Sequence, residues 1–133
     1  MTYLSDTDIC IHWLRGQSAV HRRLAAVGPE AICVSTITLA ELYYGAECSQ
    51  KAAENHRAID DFSSGVHVLG VNSDVARTFG EIKAQLRRQG GLIEDFDLAL
   101  AATALAYGFI LVTNNVSHFA RIAGLIVENW VQP

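Results

Sequence analysis

Residues 97–115 read Asp97-Leu-Ala-Leu-Ala-Ala-Thr-Ala-Leu-Ala-Tyr107-Gly108-Phe109-Ile-Leu-Val112-Thr113-Asn114-Asn115. The alanine-rich run from Phe96 or Asp97 to Tyr107 is predicted to be helical. Gly108 ends it, because glycine readily adopts the left-handed conformation that closes a helix. Phe109–Val112 is short, wholly apolar and bounded by turn residues, as a strand buried on both faces should be. A helix running straight into a buried strand is the building unit of a parallel α/β sheet.

The same alternation continues in both directions. Tyr3 to Ser5 is a short strand ending at Asp6, followed by helices from Ile9 to Leu14 and from Ser18 to Val27, the second stopped by Gly28-Pro29. Ala31 to Val34 is a second strand. Thr38-Leu-Ala-Glu41 has the form of a capping box, which predicts a helix from near Thr38 to about Glu47, with another from Lys51 to Phe62. Val66 to Val71 is a third strand. Asn72 or Ser73 then caps a long helix through Ala76, Phe79, Ile82 and Leu86 that closes at Gly90-Gly91. Beyond the quoted stretch come a short helix, Ser117 to Ile122, and a last strand, Leu125 to Val127. No linker, repeat or low-complexity tract interrupts the pattern. It predicts one α/β domain over residues 1–133, with a central, mostly parallel sheet of four to five strands flanked by helices.

A chain of 133 residues holds one ordinary core, and with 50% hydrophobic residues disorder is excluded. Charged residues make up 18%, below the usual quarter, which suggests that a partner covers part of the surface. Ten basic against fourteen acidic residues give a net charge of −4, so no chain-wide basic footprint for nucleic acid exists. Contact with RNA or DNA must use a local patch or a metal. Lys83, Arg87 and Arg88, with Arg22 and Arg23, are the densest basic groups, although a solvated helix face is their simplest reading. Cys10, Cys33 and Cys48 lack CxxC spacing and are expected to be buried free thiols in a reducing compartment. Asp6 and Asp8 interrupt any signal-peptide core, and the longest apolar run, Leu98 to Val112, has 15 residues where a membrane span needs about 20. The expectation is a soluble cytoplasmic protein.

Open parallel sheets bind ligands beyond the carboxyl ends of their strands. Asp6 follows the first strand there, Thr113, Asn114 and Asn115 follow the fourth, Glu41 lies one turn into the helix after the second, and Asp97 opens the helix that leads into the fourth. If these places converge, three carboxylates and one or two amides face one point. Such a cluster is costly until something positive fills it. A hard divalent cation does so, and once bound it polarises a phosphodiester and activates water. Each residue also has a purely structural reading. Asp6 caps the first helix, Glu41 completes the capping box, Asp97 or Asp95 caps its own helix, and Asn115 makes a turn.

At these residues the chain resembles the PIN-domain family and, within it, the VapC-type ribonuclease toxins of bacterial toxin–antitoxin pairs. The resemblance rests on Tyr3-Leu-Ser-Asp-Thr-Asp8-Ile, Ser35-Thr-Ile-Thr-Leu-Ala-Glu-Leu-Tyr-Tyr-Gly45, Asp97 to Gly108, Leu111-Val-Thr-Asn-Asn-Val-Ser-His-Phe119, and Gly124-Leu-Ile-Val-Glu-Asn-Trp130. It covers nearly the whole chain. It implies a Mg²⁺- or Mn²⁺-dependent endoribonuclease, acting on RNA such as tRNA, in which Asp6 and Asp97 match the acids most directly tied to the metal and Glu41 matches the third shared acid. Thr113 matches a residue that sets the loop. Asn115 stands where many such domains have a fourth Asp, which argues against a second metal here and implies that Asn115 orients water or a metal-bound carboxylate. The resemblance further implies a homodimer, neutralised by a small antitoxin that itself binds DNA.

Two other readings compete. Asp6-Thr-Asp8 also fits the opening of haloacid-dehalogenase-type phosphohydrolases, with Asp6 as nucleophile and Asp8 as general acid, and Lys83 with Asp95 or Asp97 as the later motif; Cys10 stands where those enzymes want Thr or Val. Alternatively the domain is a non-catalytic, partner-binding module, with Trp13, Tyr43 and Tyr44 as interface aromatics. A dinucleotide-binding module is a poorer reading still, because no GxGxxG follows the first strand. His118 is expected to be a loop-capping or surface histidine.

Overall fold

Tyr3–Ser5 (β1) is the centre strand of a five-stranded sheet in a computed structural model that describes residues 1–131. Gln132 and Pro133 of the expected 1–133 domain lie outside the described residues. β1 pairs in parallel with Ile32–Ser35 (β2) on one side and Ile110–Val112 (β4) on the other; His67–Leu69 (β3) flanks β2 and Val127–Glu128 (β5) flanks β4. Every pairing is parallel. The strand order β3-β2-β1-β4-β5 reverses at β1, so the gap between the ends of β1 and β4 is the topological switch point.

Strand alternation divides the core between two faces. Leu4, Cys33 and Leu111 point to one face, where they pack with Ser73–Arg88 (α5) and Asp95–Tyr107 (α6). Ile32 and Val112 point to the other, against Ile9 and Val20 of Thr7–Leu14 (α1) and Ser18–Val27 (α2). Val34 on that same face packs with Leu42, Ala46 and Ile59 of Thr36–Glu47 (α3) and Ala52–Ser64 (α4). α6 is buried nearly all round, through Leu98, Leu100, Ala101, Ala102 and Ala104. Its alanines let it lie close against both the sheet and α5. Gly108 closes it with φ of +73°, as the sequence predicts.

Several boundaries differ for local reasons. α3 starts at Thr36, because Ser35 rather than Thr38 is its N-cap and accepts from Ile37 N at 3.0 Å; the capping box does not form, and Thr38 is buried within the helix. A single 3₁₀ turn, Pro29–Ala31, delays β2 by one residue. Gly124, at φ +82°, ends a turn that moves β5 from 125–127 to Val127–Glu128. The short helix after β4 (α7) is Val116–Phe119. Neither Asp95 nor Asp97 caps α6, whose N-cap is Glu94. Cys10 and Cys33 are buried thiols, but Cys48, at the exposed end of α3, is not. Of the three proposed interface aromatics, Trp13 packs edge-on against Phe62 at 4.8 Å and Tyr43 bonds Asp60, whereas Tyr44 is 73% exposed. No helix among the described residues is long and apolar enough to cross a membrane.

Candidate active site

Asp6 and Thr113 emerge side by side from the adjacent strands β1 and β4. Ser5 pairs with Val112, and the Asp6 N–H donates to the Val112 carbonyl at 3.0 Å. Asp6 does cap α1, accepting from Ile9 N at 2.9 Å, but capping occupies only one oxygen, Oδ1. The capping reading and the functional reading are therefore compatible. The Thr113 hydroxyl also bonds this carboxylate, and in turn accepts from Asn115 N at 3.0 Å. Asp6 is only 7% exposed, and burial pushes its carboxyl up to about 6; the two hydrogen bonds work against that rise, and the charges of Asp8 and Asp97 add to it.

Asp97 joins this corner from the first turn of α6. Its carboxyl is also raised, mainly by burial; the nearby His118 charge lowers it, and Glu94 and Asp8 raise it. His118 Nε2 stands 3.1 Å from Asp97 Oδ2. This corrects the sequence expectation, since His118 is not a bystander at the surface but holds a site acid. Thr7, next to Asp6, donates to Glu41 Oε1 at 2.5 Å and so ties α3 to the start of α1. Glu41, freed from the unformed capping box, reaches the Asp6 loop through that hydroxyl. Asn115 contributes its main-chain N–H to Thr113, and its residue is exposed. Asp95 turns away from this corner and pairs with Lys83 at 2.9 Å.

Thr7 is a site residue that sequence reasoning did not assign; Asp8, weighed there only as the general acid of a dehalogenase-type site, and His118, expected at a loop or the surface, also reach this corner. Thr7 and Asp8 directly follow Asp6 in the first turn of α1 and were legible as its neighbours. His118 is separated from Asp97 by the rest of α6 and all of β4, so only the fold brings them together.

The donors suit a hard divalent cation. Asp6 and Asp97 offer oxygen only, their charges repel, and no lysine or arginine pairs with either among the described residues. Among the described residues no three carboxylate, imidazole or thiol groups are already gathered as a ligand set. A Mg²⁺-sized ion commonly takes one or two carboxylates and completes its shell with water.

A family model for the PIN domain matches residues 3–125, and the chain belongs to the PIN-domain family. Its relatives place it more narrowly, among VapC-type members. It is 40% identical over 131 residues to "Ribonuclease VapC2" of Haemophilus influenzae, covering 98% of this chain and 99% of that one. It is 38% identical over 130 residues to the "tRNA(fMet)-specific endonuclease VapC" of Shigella flexneri, covering 98% of each. The fold is similar to that in the DNA-bound VapBC structure from Salmonella typhimurium, with a TM-score of 0.92, 33% identity and 98% of each chain covered. It is also similar to that in VapBC2 from Rickettsia felis bound to a promoter DNA fragment, with a TM-score of 0.91, 33% identity, and 98% and 99% covered. The dehalogenase-type reading of Asp6-Thr-Asp8 falls with the family match.

Proposed function

We propose that this chain is a Mg²⁺- or Mn²⁺-dependent endoribonuclease acting as the toxin of a bacterial toxin–antitoxin pair. The observation that carries the reading is the meeting of Asp6 and Asp97 at the switch point, partly buried, with no lysine or arginine among the described residues to neutralise either. The bound cation would polarise an RNA phosphodiester and lower the pKa of the attacking water. Asp6 and Asp97 would hold it, with Glu41 contributing through the oxygen that Thr7 leaves free. Thr113 fixes the Asp6 carboxylate, and His118 fixes that of Asp97. Asn115, whose N–H is anchored to Thr113, orients water at the open side.

The substrate to try first is initiator tRNA, because a relative at 38% identity is named for cutting it. The partner is a small antitoxin, itself DNA-binding, since similar chains occur in VapBC complexes bound to DNA. A homodimer accords with the apolar cleft of about 310 Å³ edged by the exposed residues Val71 and Phe96.

The test uses partner-free protein with total RNA and with initiator tRNA, under three conditions: metal, EDTA, and Asp97→Asn with metal. Discrete cuts that vanish under the last two support the reading. A folded, metal-binding wild type that cuts neither RNA counts against tRNA as the target. Failure to bind metal as well would favour a non-catalytic partner module.

A further inference from the structure

The acids explain how a phosphodiester is attacked, but not what holds an RNA polyanion against a chain of net charge −4. Phosphate contacts position a nucleic acid, and they come from basic side chains with no competing acid. Of the densest basic groups, Lys83 is engaged by Asp95 and Arg23 by Glu128. Arg22, Arg87 and Arg88 are exposed and form no ion pair among the described residues, but they make no contact with a site acid. The α7 turn supplies a different candidate. Phe119 and Ile122 face the core, and Ile122 N bonds the Phe119 carbonyl at 3.1 Å, so the helical path continues past the end of α7. His118 and Arg121 are therefore one turn apart on the opposite side, about 5–6 Å between Cβ atoms.

Both side chains reach the stretch of chain from the α5–α6 connection into the first turn of α6. His118 touches Asp97 at the far end of that stretch, in the first turn of α6. Arg121 lies across Gly91 at its near end, so closely that a Cβ at residue 91 would collide with Nη1 and sit 3.0 Å from Cζ. Gly91 has an ordinary φ, and its own residue is buried. Glycine here serves as a seat rather than as a bend. The C-terminal end of α5, with its partial negative charge, favours a cation at that place. Arg121 is exposed and forms no ion pair with a carboxylate among the described residues.

We propose that Arg121, seated on Gly91 beside the Asp97–His118 pair, binds a backbone phosphate of the RNA and positions the neighbouring phosphodiester over the acids. The inference rests on the ribonuclease reading above and adds the residue that holds the substrate. A planar guanidinium held at one edge keeps its free N–H groups pointing outward, which suits the two oxygens of a phosphate.

The test compares wild type, Arg121→Ala, Arg121→Lys and Gly91→Ala, each checked for an unchanged melting profile. Binding of initiator tRNA is titrated against salt in an Asp97→Asn background, and cleavage kinetics are measured in the Asp97 proteins. Arg121→Ala should weaken binding about tenfold and reduce the slope of log affinity against log salt by about one. In cleavage it should raise KM more than it lowers kcat. Arg121→Lys should restore the salt slope but only part of the affinity. Gly91→Ala, which keeps the charge but displaces the guanidinium, should lose affinity with the slope intact. Wild type that cuts RNA while Arg121→Ala shows the same KM and salt slope would overturn this inference alone. A folded wild type that neither binds nor cuts any RNA would overturn it together with the ribonuclease reading.

Discussion

Asp6 and Glu128 flank the end of β4 from opposite sides, and the fold treats them in opposite ways. Glu128 ends β5, where its carboxylate accepts from Arg23 Nη2 at 2.8 Å and from Trp130 Nε1 at 3.0 Å; the guanidinium also lies 5.7 Å from the indole ring centre. That corner is closed, and the charge drawn into it has a partner. Asp6 follows β1 in a more buried place, with no cationic partner among the described residues and two further carboxylates near enough to push it up. Burying a charge without a counter-charge destabilises a fold. A chain that solves the problem on one side of β4 and leaves it open on the other makes the open side the candidate site proposed above.

The largest expected effect tests that division directly. Asp6→Asn should lower tRNA cleavage at least about a thousandfold, equivalent to roughly 4 kcal/mol of barrier. Asparagine is also a good N-cap, so α1 should survive the change. Glu128→Gln should leave kcat within about threefold of wild type. Initial rates of the two variants decide the matter, and an Asp6→Asn enzyme within tenfold of wild type would remove Asp6 from the chemistry. The closed corner should answer in stability instead. Trp130 is 1% exposed and packs with Ile9, Val20, Ile32 and Val112, so Trp130→Ala should cost about 3–5 kcal/mol in urea unfolding.

The open corner was more legible in the sequence than its details were. Strand ends and helix starts are local signals, and Asp97 to Val112 carries a helix, its stop and a buried strand without help from the rest of the chain. Asp6 and Asp97 followed from the rule that parallel sheets work at their carboxyl edges. What misled was competition between equally good local signals. Ser35 and Thr38 are both cap residues, and only the position of β2's end selects Ser35. Leu125-Ile-Val127 has strand composition, but the main-chain bonds to β4, Leu111 N to Ile126 O and Thr113 N to Glu128 O, carry the pairing on to Glu128. The Glu128 clasp and the His118–Asp97 contact had no sequence signal, because each joins elements distant in the chain.

A third effect is intermediate in size and depends on pH. The Asp6 carboxyl is raised from 3.8 to about 6 on folding, so the folded state holds that proton more tightly than the unfolded state. Stability from this group is therefore fully present below the unfolded value and is lost as pH rises through about 6. The total span is on the order of 3 kcal/mol. Asp97 shifts in the same direction. Metal-free protein in EDTA should thus be harder to unfold with urea at pH 5.5 than at pH 7.5, and Asp6→Asn should remove most of that difference. If wild type and Asp6→Asn show the same pH profile, the carboxylate at the open corner is not the unfavourable charge the geometry describes.

The smallest effect concerns the charge at the closed corner. Glu128→Gln keeps an oxygen for the Trp130 N–H and removes only the ion pair to Arg23, whose side chains are 31% and 50% exposed. Solvent screening at that exposure limits the cost to about 0.5–1 kcal/mol. A double-mutant cycle with Arg23→Ala isolates the pair, and its coupling should shrink between low and high salt. Salt-insensitive coupling well above that range would mean that Glu128 and Arg23 act as a buried unit. The contrast across β4 would then be one of two charged interiors, only one of which has its counter-charge built in.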